Sequence, residues 1–440
     1  MLYNWIKNSA LKYNKCICDE RSTYRIDEYF SKAEKLARSL TAEKYGILCH
    51  SELNVGIAVL ACLYSGKTAI PLSARYGAKY NDSIISAMKI SSLITDQDIQ
   101  TLSTCVEETE DLSDVPLILC TSGTTGIPKG VMLTGESIMA SLNSFVSVCK
   151  IDQSDTIILT RPLFHCSVII CEFFLSLIKG LNIVFCNKTF DPLLIASVIK
   201  QQQITVLGGT PSNLYQLSRF ISKADACASI KTIISSGECM TKKVAQTVRR
   251  YFPKAKIYNA YGMTEASPRI SCLPHELFDE HPESVGYPLS CVNICIEDGE
   301  LLISGKNLMK GYYGIKERPT KWFHTGDAAT IENGLLYVHG RVDNMIIKHG
   351  VNIYPSEIEN TVRTHNAIKE VVAIGVPTET VSQKIILFAE SDCITEKELF
   401  DFCVKNLPTI QMPDEIHIID CIPKTDTGKV IRGAYNDKNM

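Results

Sequence analysis

The chain has 440 residues, 45% apolar and 21% charged, with a formal net charge of −3. That composition is globular and supplies more than one core, so two or three domains are expected. The near-neutral balance, without a long basic block, excludes the electrostatic footprint of a nucleic-acid or anionic-membrane binder; small anionic ligands need local sites instead.

From residue 24 to 72 the pattern runs amphipathic helix, apolar strand (45–49), apolar helix (55–64), strand (69–72). Strands alternating with helices predict a parallel sheet covered on both faces. The rhythm continues through strands at 117–120, 182–186, 204–207 and 232–234, each running into a loop of Gly, Ser or Thr. Ligands of open α/β sheets collect at such carboxyl ends. Beyond Leu289 shorter alternating runs at 292–296, 300–303 and 335–338, divided by Gly-containing turns, predict antiparallel hairpins. After Arg341 a helix (356–363), strands at 371–374 and 385–388 and a helix (396–406) predict a small α+β domain.

Eighteen cysteines lie scattered through apolar stretches and none forms a Cys-x-x-Cys pair. Structural zinc is therefore disfavoured and a reducing, cytoplasmic setting is expected. The N-terminus lacks the apolar core of a secretion signal, and the most apolar segment, 168–178, is too short to span a bilayer and carries Glu172.

The string Thr121-Ser122-Gly123-Thr124-Thr125-Gly126-Ile127-Pro128-Lys129-Gly130 is chemically pointed. Glycines let successive N–H groups converge on an anion, the hydroxyls add compact donors, and Lys129 brings a point charge suited to phosphate. Its spacing is not that of a Walker loop, which needs four residues between the glycines and Lys-Ser or Lys-Thr after the second. A P-loop kinase or GTPase is disfavoured.

This string resembles the signature of the adenylate-forming superfamily, which includes acyl-CoA and aryl-CoA ligases, peptide-synthetase adenylation domains and firefly-type luciferases. Tyr261-Gly262-Met263-Thr264-Glu265, Phe323-His324-Thr325-Gly326-Asp327, Gly340-Arg341-Val342-Asp343 and the segment from Pro423 to Lys429 resemble further family motifs, in the family's order. The resemblance covers essentially the whole chain. It implies an α/β fold: a large N-terminal domain (1–342) of parallel-rich sheets with a small β-barrel-like part, then a small mobile α+β domain (343–440).

It also implies residue roles. The reaction joins two anions, a carboxylate and the α-phosphate of ATP, so the site must neutralise charge and orient an in-line attack. Thr121, Ser122, Gly123, Thr124, Thr125, Gly126 and Lys129 would hold the β- and γ-phosphates. Glu265 would bind Mg²⁺, which takes one or two carboxylates and several phosphate oxygens, while Thr264 donates to the α-phosphate. Tyr261 offers a ring for adenine, Gly237 and Glu238 its edge contact, and Asp327 accepts the ribose hydroxyls. Arg341 would touch ribose and phosphate, and Lys429 the carboxylate and α-phosphate. His165, in Pro162-Leu163-Phe164-His165, resembles the histidine lining the acyl channel; Asp343 corresponds to the hinge about which the small domain rotates.

One departure stands out: many relatives carry Lys seven residues after the Gly of Gly-Arg, where this chain has Ile347, and the neighbouring Lys348 is no assured substitute. The stretch 346–359 looks more like bacterial acyl-CoA ligases than peptide-synthetase domains, which points to coenzyme A as the acceptor. A medium-sized organic acid, aromatic or aliphatic, is the expected substrate, with succinylbenzoate compatible. Two alternatives stand beside this: loading of a carrier-protein phosphopantetheine, and a nucleotide-binding module without catalysis. Beyond Asp343 ten Lys and Arg face fourteen Asp and Glu, which disfavours an acidic carrier.

Overall fold

The structure, a computed structural model, describes residues 1–75, 77–102, 110–121, 128–187, 190–221, 227–317, 320–348, 351–377, 383–424 and 430–435. It divides into two compact units: Met1–Ile294 with Ile303–Phe323 and Gly334–Leu336, and Cys295–Leu302 with His324–Asn333 and Tyr337–Met440. This grouping differs from the expected break at 342/343, because it assigns much of the hairpin region to the second unit.

The first unit is built on two sheets. One has nine strands in the order Tyr287–Pro288, Arg269–Leu273, Lys256–Gly262, Thr232–Ser236, Val206–Gly209, Thr156–Leu159, Asn182–Phe185, Cys16–Cys18 and Thr23–Arg25. Its middle is parallel and its margins antiparallel. The other runs Gly311–Tyr312, Lys129–Leu133, Leu117–Thr121, Thr68–Pro71, Lys44–Ile47, Ser92–Ile94 and Ile99–Thr101, again with a parallel centre.

Helix Glu52–Ser65 shows why the predicted elements form. Its residues from Leu53 to Leu63 are buried on nearly every side except Asn54 and Ile57, and Gly66 ends it in the left-handed conformation, φ 68°. Gly56 is required by a close approach, since a Cβ there would stand 2.3 Å from Tyr29 Oη and 2.9 Å from the Phe173 ring. Ile169–Phe174, within the most apolar segment of the sequence, is a π-helical turn, an irregularity common at functional sites.

A four-stranded sheet, Val292–Glu297, Glu300–Gly305, Phe323–Glu332 and Leu335–Arg341, forms the hairpin region. The second unit continues with the hairpin Ile346–Lys348 and Val351–Ile353, and with a three-stranded sheet of Glu370–Pro377, Gln383–Glu390 and Glu415–Ile419. Helices Pro355–Val362 and Glu396–Asn406 bury Ile358, Val362, Leu399 and Cys403 in the same cluster as Val371, Ile385 and Leu387 from those strands. Thr395 and Glu398 cap the second helix reciprocally, the side chain of each accepting the backbone N–H of the other.

Candidate active site

Thr121 and Lys129 face each other across an antiparallel pair, as the last residue of Leu117–Thr121 and the first of Lys129–Leu133. The phosphate string is therefore a strand-to-strand connection whose mouth is held by a ladder. The expectations for Ser122, Gly123, Thr124, Thr125 and Gly126 fall outside the described residues.

Lys129 Nζ lies 5.3 Å from the centroid of the Tyr312 ring, and Tyr312 Oη donates to Glu265 Oε1 at 2.9 Å. Tyr312 thus ties the phosphate string to the expected metal carboxylate. The sequence reading missed it; its only signal was the Gly-Tyr-Tyr-Gly segment at 311–314, whose Gly311–Tyr312 strand pairs with Val131 and Met132.

Thr264 and Glu265 sit in the 3₁₀ turn Thr264–Ala266, with Glu265 buried. The turn is pinned from several sides. Met309 N donates to Glu265 O at 2.9 Å, and buried Asn307 donates through Nδ2 to Ala266 O at 2.9 Å and Arg269 O at 3.1 Å. Ser267 adopts φ 57° and its Oγ bonds Ser137 Oγ at 3.0 Å. Gly262 is obligatory: a Cβ there would fall 1.7 Å from Pro268 O. Among the described residues no group of three His, Cys, Asp or Glu could hold a metal. One fixed carboxylate is what Mg²⁺ needs when substrate phosphates complete its shell, so Glu265 fits that role.

Tyr261 is half-buried at the end of Lys256–Gly262, opposite Ser271. Gly237 follows strand Thr232–Ser236 with φ 95°, a left-handed position natural to glycine. Glu238 Oε2 accepts from Ser212 N at 3.0 Å and Ser212 Oγ at 2.6 Å, joining the loop after strand Thr232–Ser236 to the start of helix Pro211–Phe220, which follows the neighbouring parallel strand.

His165 starts the short helix Cys166–Val168, its ring edge-on to Phe164 with centroids 5.4 Å apart. Leu163 N donates to Glu52 Oε2 at 2.8 Å, so a buried carboxylate holds the segment that carries His165. Burial pushes the Glu52 carboxyl up to about 7, against the Leu163 bond and the charge of Arg75. Glu52 opens the apolar helix and nothing in its sequence context marked it.

In the second unit Asp327, Arg341 and Asp343 come together. Arg341 Nη1 donates to Thr325 O at 2.7 Å and to Asp327 Oδ1 at 3.4 Å, and Nε lies 3.5 Å from Asp343 Oδ1. Gly326, at φ 68°, makes room: a Cβ there would stand 2.4 Å from Arg341 Nη2. Lys429 falls outside the described residues. Lys348, beside the departing Ile347, is engaged elsewhere: buried Nζ donates to Asp414 Oδ2 at 2.8 Å and Met412 O at 3.1 Å.

A two-sheet α/β unit with a ladder-held phosphate string beside a pinned carboxylate, followed by a small α+β unit, defines an adenylate-forming enzyme. The chain belongs to the AMP-binding enzyme family, whose model matches residues 7–313, and the family's AMP-binding enzyme C-terminal domain matches residues 357–429. As such it is an AMP-forming acid–thiol ligase that converts a carboxylic acid and ATP to an acyl-adenylate and passes the acyl group to coenzyme A. ATP with Mg²⁺ and coenzyme A are its cofactors. Feruloyl-CoA synthase of an Amycolatopsis species is 28% identical, covering 85% of this chain and 84% of its own length. The 2-succinylbenzoate–CoA ligase of Bacillus licheniformis is 27% identical over 98% of each chain. The solved o-succinylbenzoate coenzyme A synthetase of Bacillus subtilis, in complex with ATP and magnesium ion, superposes with a TM-score of 0.85 at 25% identity, over 98% of each chain. No helix among the described residues is long and apolar enough to cross a membrane.

Proposed function

We propose that the residues above carry out this acid activation in the roles their motifs imply, on a medium-sized organic acid. The observation that carries this is the Lys129–Tyr312–Glu265 assembly. It sets a cation and a fixed carboxylate on one aromatic ring at the mouth of the phosphate string, as a site for ATP phosphates requires. Held by Glu265, Mg²⁺ would neutralise phosphate charge. Around it the chain's own residues orient the reactants: Thr121, Lys129 and the string between them grip the outer phosphates, and Thr264 donates to the α-phosphate. Tyr261, Gly237 and Glu238 flank adenine, Asp327 and Arg341 take the ribose, and His165 lines the approach of the acid. Lys429 bridges carboxylate and α-phosphate until rotation about Asp343, between a 1–342 and a 343–440 domain, withdraws it.

Feruloyl and succinylbenzoyl specificity among the relatives supports an acid of that size. The acidic excess after Asp343 supports free coenzyme A over an acidic carrier. Free thiols at every described cysteine support a reducing, cytoplasmic setting.

Acid-dependent pyrophosphate exchange tests the first half-reaction and thioester formation from a supplied acyl-adenylate the second. Lys429→Ala is expected to lose exchange by about 10²-fold or more and to keep most thioester formation. Equal loss in both would contradict the rotating-domain account.

A further inference from the structure

Arg269 opens the strand four residues after Glu265, where the ladder is irregular. Tyr261 lies opposite Ser271 and Gly262 opposite Arg269, so Ile270 is one residue too many on its side. A bulge of this kind re-aims a side chain. Because Ala260 pairs with Cys272 and Gly262 with Arg269, it brings Arg269 to the same face of the sheet as Cys272. The π-helical turn Ile169–Phe174 covers this face. Gly208 shares it through Ile234 and Tyr258, and a Cβ on Gly208 would stand 2.6 Å from the Glu172 carboxyl carbon.

Arg269 is 2% exposed, yet its buried Nε and Nη2 have no hydrogen-bond partner among the described residues. Its neighbours are the Phe145 ring, with centroid 5.1 Å away, the Cys171 thiol, which takes one hydrogen bond, and the thiols of Cys149, Cys166 and Cys272. Thiols are weak acceptors, so a buried cation set against them and an aromatic ring, with two of its donors unpaired, is poorly compensated. Nε–H and Nη2–H are the two donors on one edge of the guanidinium, the fork that grips a carboxylate side-on. Cys166 adjoins His165, so the fork lies among residues that follow the expected acyl-channel histidine. Glu172 Oε2, Arg161 Nε and Ser236 Oγ, set along this region of the sheet, are likewise without partners among the described residues.

We propose that Arg269 is the receptor for a second acidic group on the substrate, remote from the carboxylate that is adenylated. The substrate class is then a dicarboxylic acid, and Arg269 is a specificity residue. This rests on the acid-activating function and on the acyl group lying beside His165.

The test measures acid-dependent pyrophosphate exchange and CoA thioester formation with matched pairs: 2-succinylbenzoate against 4-oxo-4-phenylbutyrate, and adipate against hexanoate. The wild type is expected to favour the diacid of at least one pair by about tenfold or more in kcat/KM. Arg269→Met is expected to lower that diacid's kcat/KM by about 10²-fold while the monoacid and the KM for ATP change by less than about threefold. Arg269→Lys, which keeps the charge without the fork, is expected to fall between, and it decides the matter if the Met variant does not fold. Preference for the monoacid in both pairs overturns the proposal and leaves acid activation standing, as does equal loss for mono- and diacids in the Lys variant. Exchange with no acid at all overturns the activating function itself.

Discussion

Replacing Glu52 by Gln separates the shape of a buried side chain from its charge. Glu52 is 7% exposed and its Oε2 accepts from Leu163 N; a Gln carbonyl oxygen can take the same bond without ionising. Burial lifts the carboxyl from 4.5 to about 7, so between those values the folded chain holds the proton more tightly than the unfolded chain does. Stability therefore falls as pH rises through that window and the full penalty is present above it. At 1.36 kcal/mol per unit, the ionised Glu52 costs about 3 kcal/mol at high pH, and the Gln variant does not carry that cost. Its stability advantage over wild type should grow by about 2 kcal/mol between about pH 5 and about pH 8. Urea unfolding followed by tryptophan fluorescence reads this in the right place, because the chain's two tryptophans, Trp5 and Trp322, both belong to the first unit with Glu52. An advantage that does not change with pH, or a variant less stable than wild type at about pH 8, would show that an ionised Glu52 carries no such cost.

Tyr312→Phe keeps the ring beside Lys129 and removes the bond to Glu265. Pyrophosphate-exchange kcat/KM should fall about tenfold and the Mg²⁺ concentration for half-maximal rate should rise, and unchanged values for both would detach Tyr312 from the site. Gly326→Ala combines a left-handed φ with a contact too short to Arg341. It should destabilise by about 1–2 kcal/mol and raise the KM for ATP by displacing Arg341 from Thr325 O and Asp327, so a variant with the wild-type KM would disconnect that cluster from nucleotide binding.

Periodicity located the elements whose local signals agree with their burial. The strands at 117–120, 182–186 and 232–234 and the helix at 396–406 lie where the pattern places them, because apolar runs bounded by Gly, Ser or Thr leave few alternatives. Lys129–Leu133 and Arg269–Leu273 were not legible. One follows the loop whose glycines and hydroxyls dominate the reading; the other begins with an arginine that becomes buried through a bulge set by long-range pairing. Motif residues could be named one at a time, but the bonds that join them could not. Tyr312 reaches Glu265 across 47 positions, Glu52 reaches Leu163 across 111, and no local pattern encodes such a distance.

The charged groups of the two units are held by opposite means. Glu265 sits in a turn that bonds from the protein itself hold in place. Its following serine carries a strained left-handed φ, a cost of order 1–3 kcal/mol, and the bonds from Asn307 and Met309 over-determine the backbone and sustain it. Such a carboxylate needs little rearrangement to meet a cation, which is how a preorganised site keeps its reorganisation cost small. Arg341 is different. Its side chain is 46% exposed and its carboxylate contacts, at 3.4 and 3.5 Å, are of the surface kind worth about 1 kcal/mol or less. Giving up Asp327 or Asp343 therefore costs Arg341 little, while its 2.7 Å bond to Thr325 O can stay.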